Sequence, residues 1–193
     1  WMHNNMVTVD GQKMGKSLGN FITLKDAFAG EPPLNEPVRP LVIRYFVLTS
    51  HYRSPLDFSA EAIDAARKGL ERIENAVGRV RRGLDSAPDG EIPEEVSEML
   101  ADSRESFMGQ MNQDFNTAGA LGELNSFTRE VNRLLDGGES LNRETLAGIN
   151  DHYEQLAGDV LGIVTEETGG RESRGLEREL VESMLEVRQR LRE

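Results

Sequence analysis

The chain has 193 residues, no cysteine, and a net charge of −12, so it holds no disulfide, thiol nucleophile, iron–sulfur cluster or thiolate zinc site. The acidic balance excludes a protein that grips nucleic acid with its whole surface; a polyanion must meet a local basic patch. Aromatic residues at 6% and charged residues at 29% suit amphipathic helices, and the longest apolar run, 41–48, is broken by Arg44, which excludes a membrane-spanning helix.

Trp1 stands where an initiator methionine would, and the run 188–193 stops without a glycine or proline, so the chain is expected to be cut from a longer protein. Met6, Val7, Thr8 and Val9 alternate as a strand does before an Asp10-Gly11 turn. A Gly/Lys/Ser loop follows, then a short helix over 23–28 and a proline-rich connector over 31–37 that cannot be helical. An apolar helix ends near Ser50. From 59 to 84 the pattern is helical: Ile63, Leu70, Ile73, Val77, Val80 and Leu84 recur three, four or seven apart, with Ser59 as N-cap. Pro93 opens the next helix, which carries Val96, Met99, Leu100 and Phe107. Leu121, Leu124, Thr128, Val131 and Leu135 mark another, closed by Gly137-Gly138; Leu146, Ile149, Tyr153, Leu156 and Val160 mark a third. Leu176, Leu180, Met184, Val187 and Leu191 predict a last helix. The predicted fold is mainly α: a short β and loop segment, then an antiparallel bundle joined by short connections. These apolar stripes are core positions, to which no chemistry is assigned.

The segment with chemical character is Asp10-Gly-Gln-Lys13-Met14-Gly15-Lys16-Ser17-Leu-Gly-Asn20. Lys13 and Lys16, three apart among small residues, can bring two ammonium groups and backbone N–H donors onto one anion, for which phosphate is the natural guest. It is not a Walker A loop, since Gly11-x3-Gly15-Lys16-Ser17 is one residue short. Composition alone fits either a phosphate clamp or a solvated loop with two surface lysines.

Residues 1–21 resemble the KMSKS signature region of class I aminoacyl-tRNA synthetases, most closely the cysteine-specific family. Two further segments resemble that family: Ile43 through Ser59, which includes His51-Tyr52-Arg53-Ser54, and Gln113-Asp114-Phe115-Asn116-Thr117. The resemblance implies that Lys13, Met14, Gly15, Lys16 and Ser17 bind ATP, accompanied by Mg2+. It also implies that Lys13 and Lys16, above all Lys16, stabilise charge on the phosphates as the cysteine carboxylate attacks the α-phosphorus. It places the remaining parts, the HIGH motif and a zinc with its Cys, His and Glu ligands, upstream of Trp1, so this chain alone is expected to be inactive. Gly15 stands where the family usually has serine, Asn5 where glycine is expected, and the 31–37 connector departs from the family's usual link.

The resemblance further implies a division into 1–53, the end of the catalytic domain with its loop and stem-contact region; 54–164, a DALR-type anticodon-binding bundle; and 165–193, a linker and the start of a further helix. Arg67, Lys68, Arg72, Arg79, Arg81 and Arg82 in the first long helix are candidate contacts to tRNA(Cys), although a solvated helical face fits them too. Asp114 and Asn116 read as helix-capping groups. The expected function is part of a cytoplasmic ATP-dependent ligase joining cysteine to tRNA, with no DNA or membrane partner. A fragment of the related cysteine:glucosaminyl-inositol ligase of mycothiol synthesis, or a noncatalytic RNA-binding or interaction module, stays open.

Overall fold

The structure, a computed structural model, describes residues 1–34, 36–137 and 140–169; the predicted helix over 176–191 and the rest of the C-terminal segment lie outside them, as does Gly138. Six helices dominate the described residues: α1 (Leu24–Ala29), α2 (Pro40–Leu48), α3 (Ala60–Leu84), α4 (Glu94–Asn112), α5 (Thr117–Asp136) and α6 (Arg143–Tyr153). Three short strands, β1 (Val7–Val9), β2 (Gln12–Lys13) and β3 (Leu56–Phe58), form one sheet in the order β2-β1-β3.

Local chemistry sets the helix ends. Thr23 and Asp26 form a reciprocal capping box on α1, and Ser59, Asn116 and Asn142 each accept a backbone N–H in the first turn of α3, α5 and α6. Pro93 sits at the N-cap of α4, one residue before the helix rather than in its first turn. After Tyr153 the helix predicted from Leu146 to Val160 widens into a π-helical stretch, Glu154–Val160, and Arg44 donates to the Leu161 carbonyl at 2.6 Å just beyond it.

The core follows the predicted stripe. Ile63, Leu70, Ile73, Val77 and Val80 of α3 are fully buried, and pack with Phe107, Leu124, Val131, Ile149 and Tyr153. Helix α2 joins α3 through a two-pronged Arg39–Glu74 ion pair, with contacts of 3.1 and 2.7 Å. It also buries Tyr45, whose hydroxyl accepts from the Asn125 side chain at 3.1 Å. Gly69 makes this packing possible, because a Cβ there would lie 2.6 to 2.8 Å from the Tyr45 ring and hydroxyl. A rigid, buried ring leaves no cheap escape. Gly69→Ala is therefore expected to destabilise the fold by about 1–3 kcal/mol despite alanine's better helix propensity, measured by urea unfolding; unchanged stability would mean that α2 can shift away from α3.

Candidate functional site

The lysine loop grows from a β-hairpin. Thr8 pairs with Lys13 and Val9 with Gln12, and both turn residues take positive φ, 49° at Asp10 and 77° at Gly11, the pattern of a tight two-residue turn matched to strand twist. On its other edge β1 runs parallel to β3, an element the sequence reading did not separate out. That pairing brings Asp57 beneath the turn. One Asp57 carboxylate oxygen accepts from the Thr8 hydroxyl at 2.5 Å and from the Gly11 N–H at 2.8 Å, and these two bonds hold its carboxyl below the usual carboxylate range.

Beyond the hairpin, Met14 N–H donates to the Val7 carbonyl at 3.0 Å, and residues Lys16–Leu18 make one 3-10 turn. Gly19, at φ 69°, reverses the chain, and Asn20 returns to the loop: its side chain accepts from Gly15 N–H at 2.9 Å and donates to the Lys13 carbonyl at 3.1 Å. Lys13 and Lys16 are exposed, and the Lys16 ammonium lies 5.3 Å from the centre of the Phe21 ring. Gly15 has extended backbone, φ −167° and ψ 142°, and a Cβ there would meet only Leu18 at 3.7 Å. The backbone at position 15 thus demands no glycine, and a serine fits it.

The two other segments singled out in the sequence meet each other. Asp114 lies between α4 and α5, where it accepts from the Tyr52 hydroxyl at 2.8 Å and pairs with Arg53 at 3.0 Å, while His51 Nε2 is 3.1 Å from the Asp114 carbonyl. Since His51 Nδ1 accepts the Arg53 N–H, Nε2 carries the proton given to that carbonyl. Asn5 fastens the same turn to the strand side, through Asn5 N–H to the Tyr52 carbonyl at 2.8 Å and its side-chain amide to the Arg53 carbonyl at 2.7 Å. Of the two residues read as caps, only Asn116 caps a helix, accepting from Gly119 N–H at 3.0 Å. Asp114 instead ties the bundle to the hairpin region. Asp114 and Phe115 both hold positive φ, 56° and 54°, a strained pair that these bonds support.

The six cations of α3 do not form one stripe. At about 100° per residue, Lys68, Arg72 and Arg79 fall within about 40° of one another, whereas Arg81 lies about 180° from Arg72. Arg67 pairs with Glu36 at 2.6 Å, Lys68 with Asp64 at 2.7 Å, and Arg79 with Asn132 at 2.8 Å and Asp136 at 2.5 Å. Arg81 is the most engaged: it donates to the carbonyls of Thr165, Glu166 and Thr168 at 2.9 to 3.1 Å, to Asn150 at 3.0 Å and to Glu154 at 3.2 Å. Arg82 reaches the Gly169 carbonyl at 3.5 Å. Arg72 makes no ion pair or side-chain hydrogen bond among the described residues.

Among the described residues no three His, Cys, Asp or Glu side chains converge as a metal site, and no helix is long and apolar enough to cross a membrane. His152 is buried against the Phe127 ring, 3.0 Å from the Ser103 hydroxyl; burial, assisted by Arg104, lowers its pKa to about 4, so it is neutral at pH 7.

Residues 1–68 match the family model described as tRNA synthetases class I (C) catalytic domain, and residues 106–165 match that of the DALR domain. Within that class the chain is similar to cysteine–tRNA ligases. That of Parabacteroides distasonis is 37% identical over 98% of this chain, that of Geobacter sulfurreducens 40% over 88%, and that of Chlorobium luteolum 37% over the whole of it. The chain spans 34 to 37% of the length of these curated relatives.

Proposed function

We propose that this chain is the loop-and-bundle part of an ATP-dependent ligase that activates cysteine and transfers it to tRNA(Cys) in the cytoplasm. The observation that carries this reading is the braced loop at residues 13–17, in a chain similar to cysteine–tRNA ligases over nearly all its length. In this reading Lys13, Met14, Gly15, Lys16 and Ser17 line the phosphates of ATP. The cysteine carboxylate attacks the α-phosphorus, the bond to pyrophosphate breaks, and cysteinyl-adenylate forms. A terminal tRNA hydroxyl then attacks the activated carbonyl and AMP leaves. The loop supplies no nucleophile. Its two ammonium groups meet the charge that gathers on the phosphates in the transition state. Magnesium enters as the counter-ion of ATP, and the zinc ligands belong to a part of the enzyme outside this chain.

The bundle would lie along the tRNA. Lys68, Arg72, Arg79 and Arg82 are the cations of α3 placed to meet its phosphates, with Arg72 the readiest because no partner must be displaced. Arg67 and Arg81, occupied by Glu36 and by the 165–168 carbonyls, are assigned to the fold.

The test supplies the full-length enzyme with labelled cysteine, ATP and either tRNA(Cys) or glucosaminyl-inositol. Label on the tRNA is expected. Label on the sugar would assign the chain to the mycothiol ligase instead, and label on neither, without ATP–pyrophosphate exchange, would leave a noncatalytic module.

A further inference from the structure

We propose that Asn20 is a positioning residue for the phosphate-binding loop, setting the placement of Lys16 through the backbone that leads into it. The inference rests on the reading of residues 13–17 as that loop. One side-chain amide bridges the Lys13 carbonyl (3.1 Å) and the Gly15 N–H (2.9 Å), so it spans Lys13, Met14 and Gly15 and fixes the peptide that leads directly into Lys16. The geometry depends on the reversal at Gly19, φ 69°, whose αL backbone brings residue 20 back beside residues 13 and 15. Two backbone bonds complete the arc, from Leu18 N–H to the Gly15 carbonyl at 3.0 Å and from Gly19 N–H to the Lys16 carbonyl at 3.2 Å.

The bridge matters because of what it restrains. Gly15 loses more conformational freedom on ordering than any other residue would, and with no side chain of its own it has only its backbone by which to be held. Asn20 Oδ1 takes that N–H. Asp57 does the equivalent work at the other end of the hairpin turn, through Thr8 and Gly11. Lys13 therefore leaves a frame fixed on both sides, and Lys16 follows the second fixed point by one residue. Charge stabilisation by an ammonium group depends on its being in place before charge develops, so loosening the frame should appear as a loss in the activation step.

The experiment is a double-mutant cycle on ATP–pyrophosphate exchange in the full-length enzyme, with rates per folded active site. Asn20→Ala is expected to slow cysteine-dependent exchange about tenfold, and Asn20→Ala added to Lys16→Ala to slow it less than twofold further, because a residue that acts by placing Lys16 has nothing left to place. A merely structural role predicts effects that multiply. Wild-type exchange by Asn20→Ala, or multiplying effects, would overturn the inference. If Asn20→Ala melts below the assay temperature, Asn20→Asp, which keeps the acceptor for Gly15 and loses the donor to Lys13, enters the same cycle under the same criteria. Failure of the underlying reading looks different: the wild-type enzyme gives no exchange, or Lys16→Ala leaves it unchanged.

Discussion

Arg81→Ala is expected to destabilise the fold by about 3 kcal/mol, a fall of about 6–12 °C in melting temperature for a chain of this size. The Arg81 guanidinium is four-fifths shielded from solvent and holds three backbone carbonyls of the 165–168 turn, together with Asn150 and Glu154. That turn is closed locally by Thr165 N–H to the Thr168 hydroxyl at 2.8 Å and Thr168 N–H to the Thr165 carbonyl at 3.0 Å, and Arg81 donates to three of its carbonyls from α3, beside the packing of Gly169 on Gly78. It follows directly on Leu161, Ile163 and Val164, all buried, so releasing it exposes core. Truncation leaves several acceptors short of a donor, each costing about 1–3 kcal/mol when water does not reach it, and the costs do not simply add. Arg81→Lys should recover less than half of the loss, because an ammonium group lacks the planar fork that serves this spread of acceptors. Unfolding in urea measures both variants; an Arg81→Ala protein as stable as the parent would mean that the 165–168 turn contributes nothing to the fold. The same geometry separates two kinds of arginine. Arg72→Glu should weaken tRNA binding and flatten its salt dependence without moving the melting temperature, whereas an effect of Arg81 substitution on RNA should follow stability.

The long helices were legible because burial repeats with the helical period, and Ile63 through Val80 needed only that rule. The strand Leu56–Phe58 was not, since three residues after a proline carry almost no periodic signal and the pairing with β1 is set nearly fifty residues away in sequence. Long range also hid Arg81. A row of arginines on one helix displays its charge in the sequence but not its acceptors, which for Arg81 lie 69 to 87 positions further on. The lysine loop was legible as composition and by resemblance, whereas its bracing was not: Asn20 reaches Gly15 and Lys13 only because Gly19 turns the chain left-handed. The departure from serine at Gly15 was visible too, and the extended backbone there shows that it answers no demand of the fold. Asp114 illustrates a different limit. An acid just before a helix reads as a cap, and only the approach of Tyr52 and Arg53 from the other part of the chain makes it a tie between the hairpin region and the bundle.

Lys16→Ala in the full-length enzyme is expected to slow cysteine-dependent ATP–pyrophosphate exchange by at least tenfold, and toward a hundredfold if Lys16 makes its main contact only in the transition state. The Lys16 ammonium now rests over Phe21 at 5.3 Å, an attraction worth about 0.5–1 kcal/mol at an exposed site, so moving it onto a phosphate costs little and the negative charge of ATP outweighs the ring. A contact formed fully with ground-state ATP would raise KM for ATP and leave kcat nearly intact. A contact that strengthens as pyrophosphate departs lowers kcat and kcat/KM together. The open position of the lysine, away from any carboxylate among its described contacts, favours the second pattern, because the group is free to follow the charge as it develops. Lys13 is rooted in β2 with its carbonyl held by Asn20, so it should hold ATP rather than follow the charge, and Lys13→Ala should act more on KM than on kcat. Exchange unchanged by Lys16→Ala would remove the loop from the chemistry and return both lysines to the solvated surface.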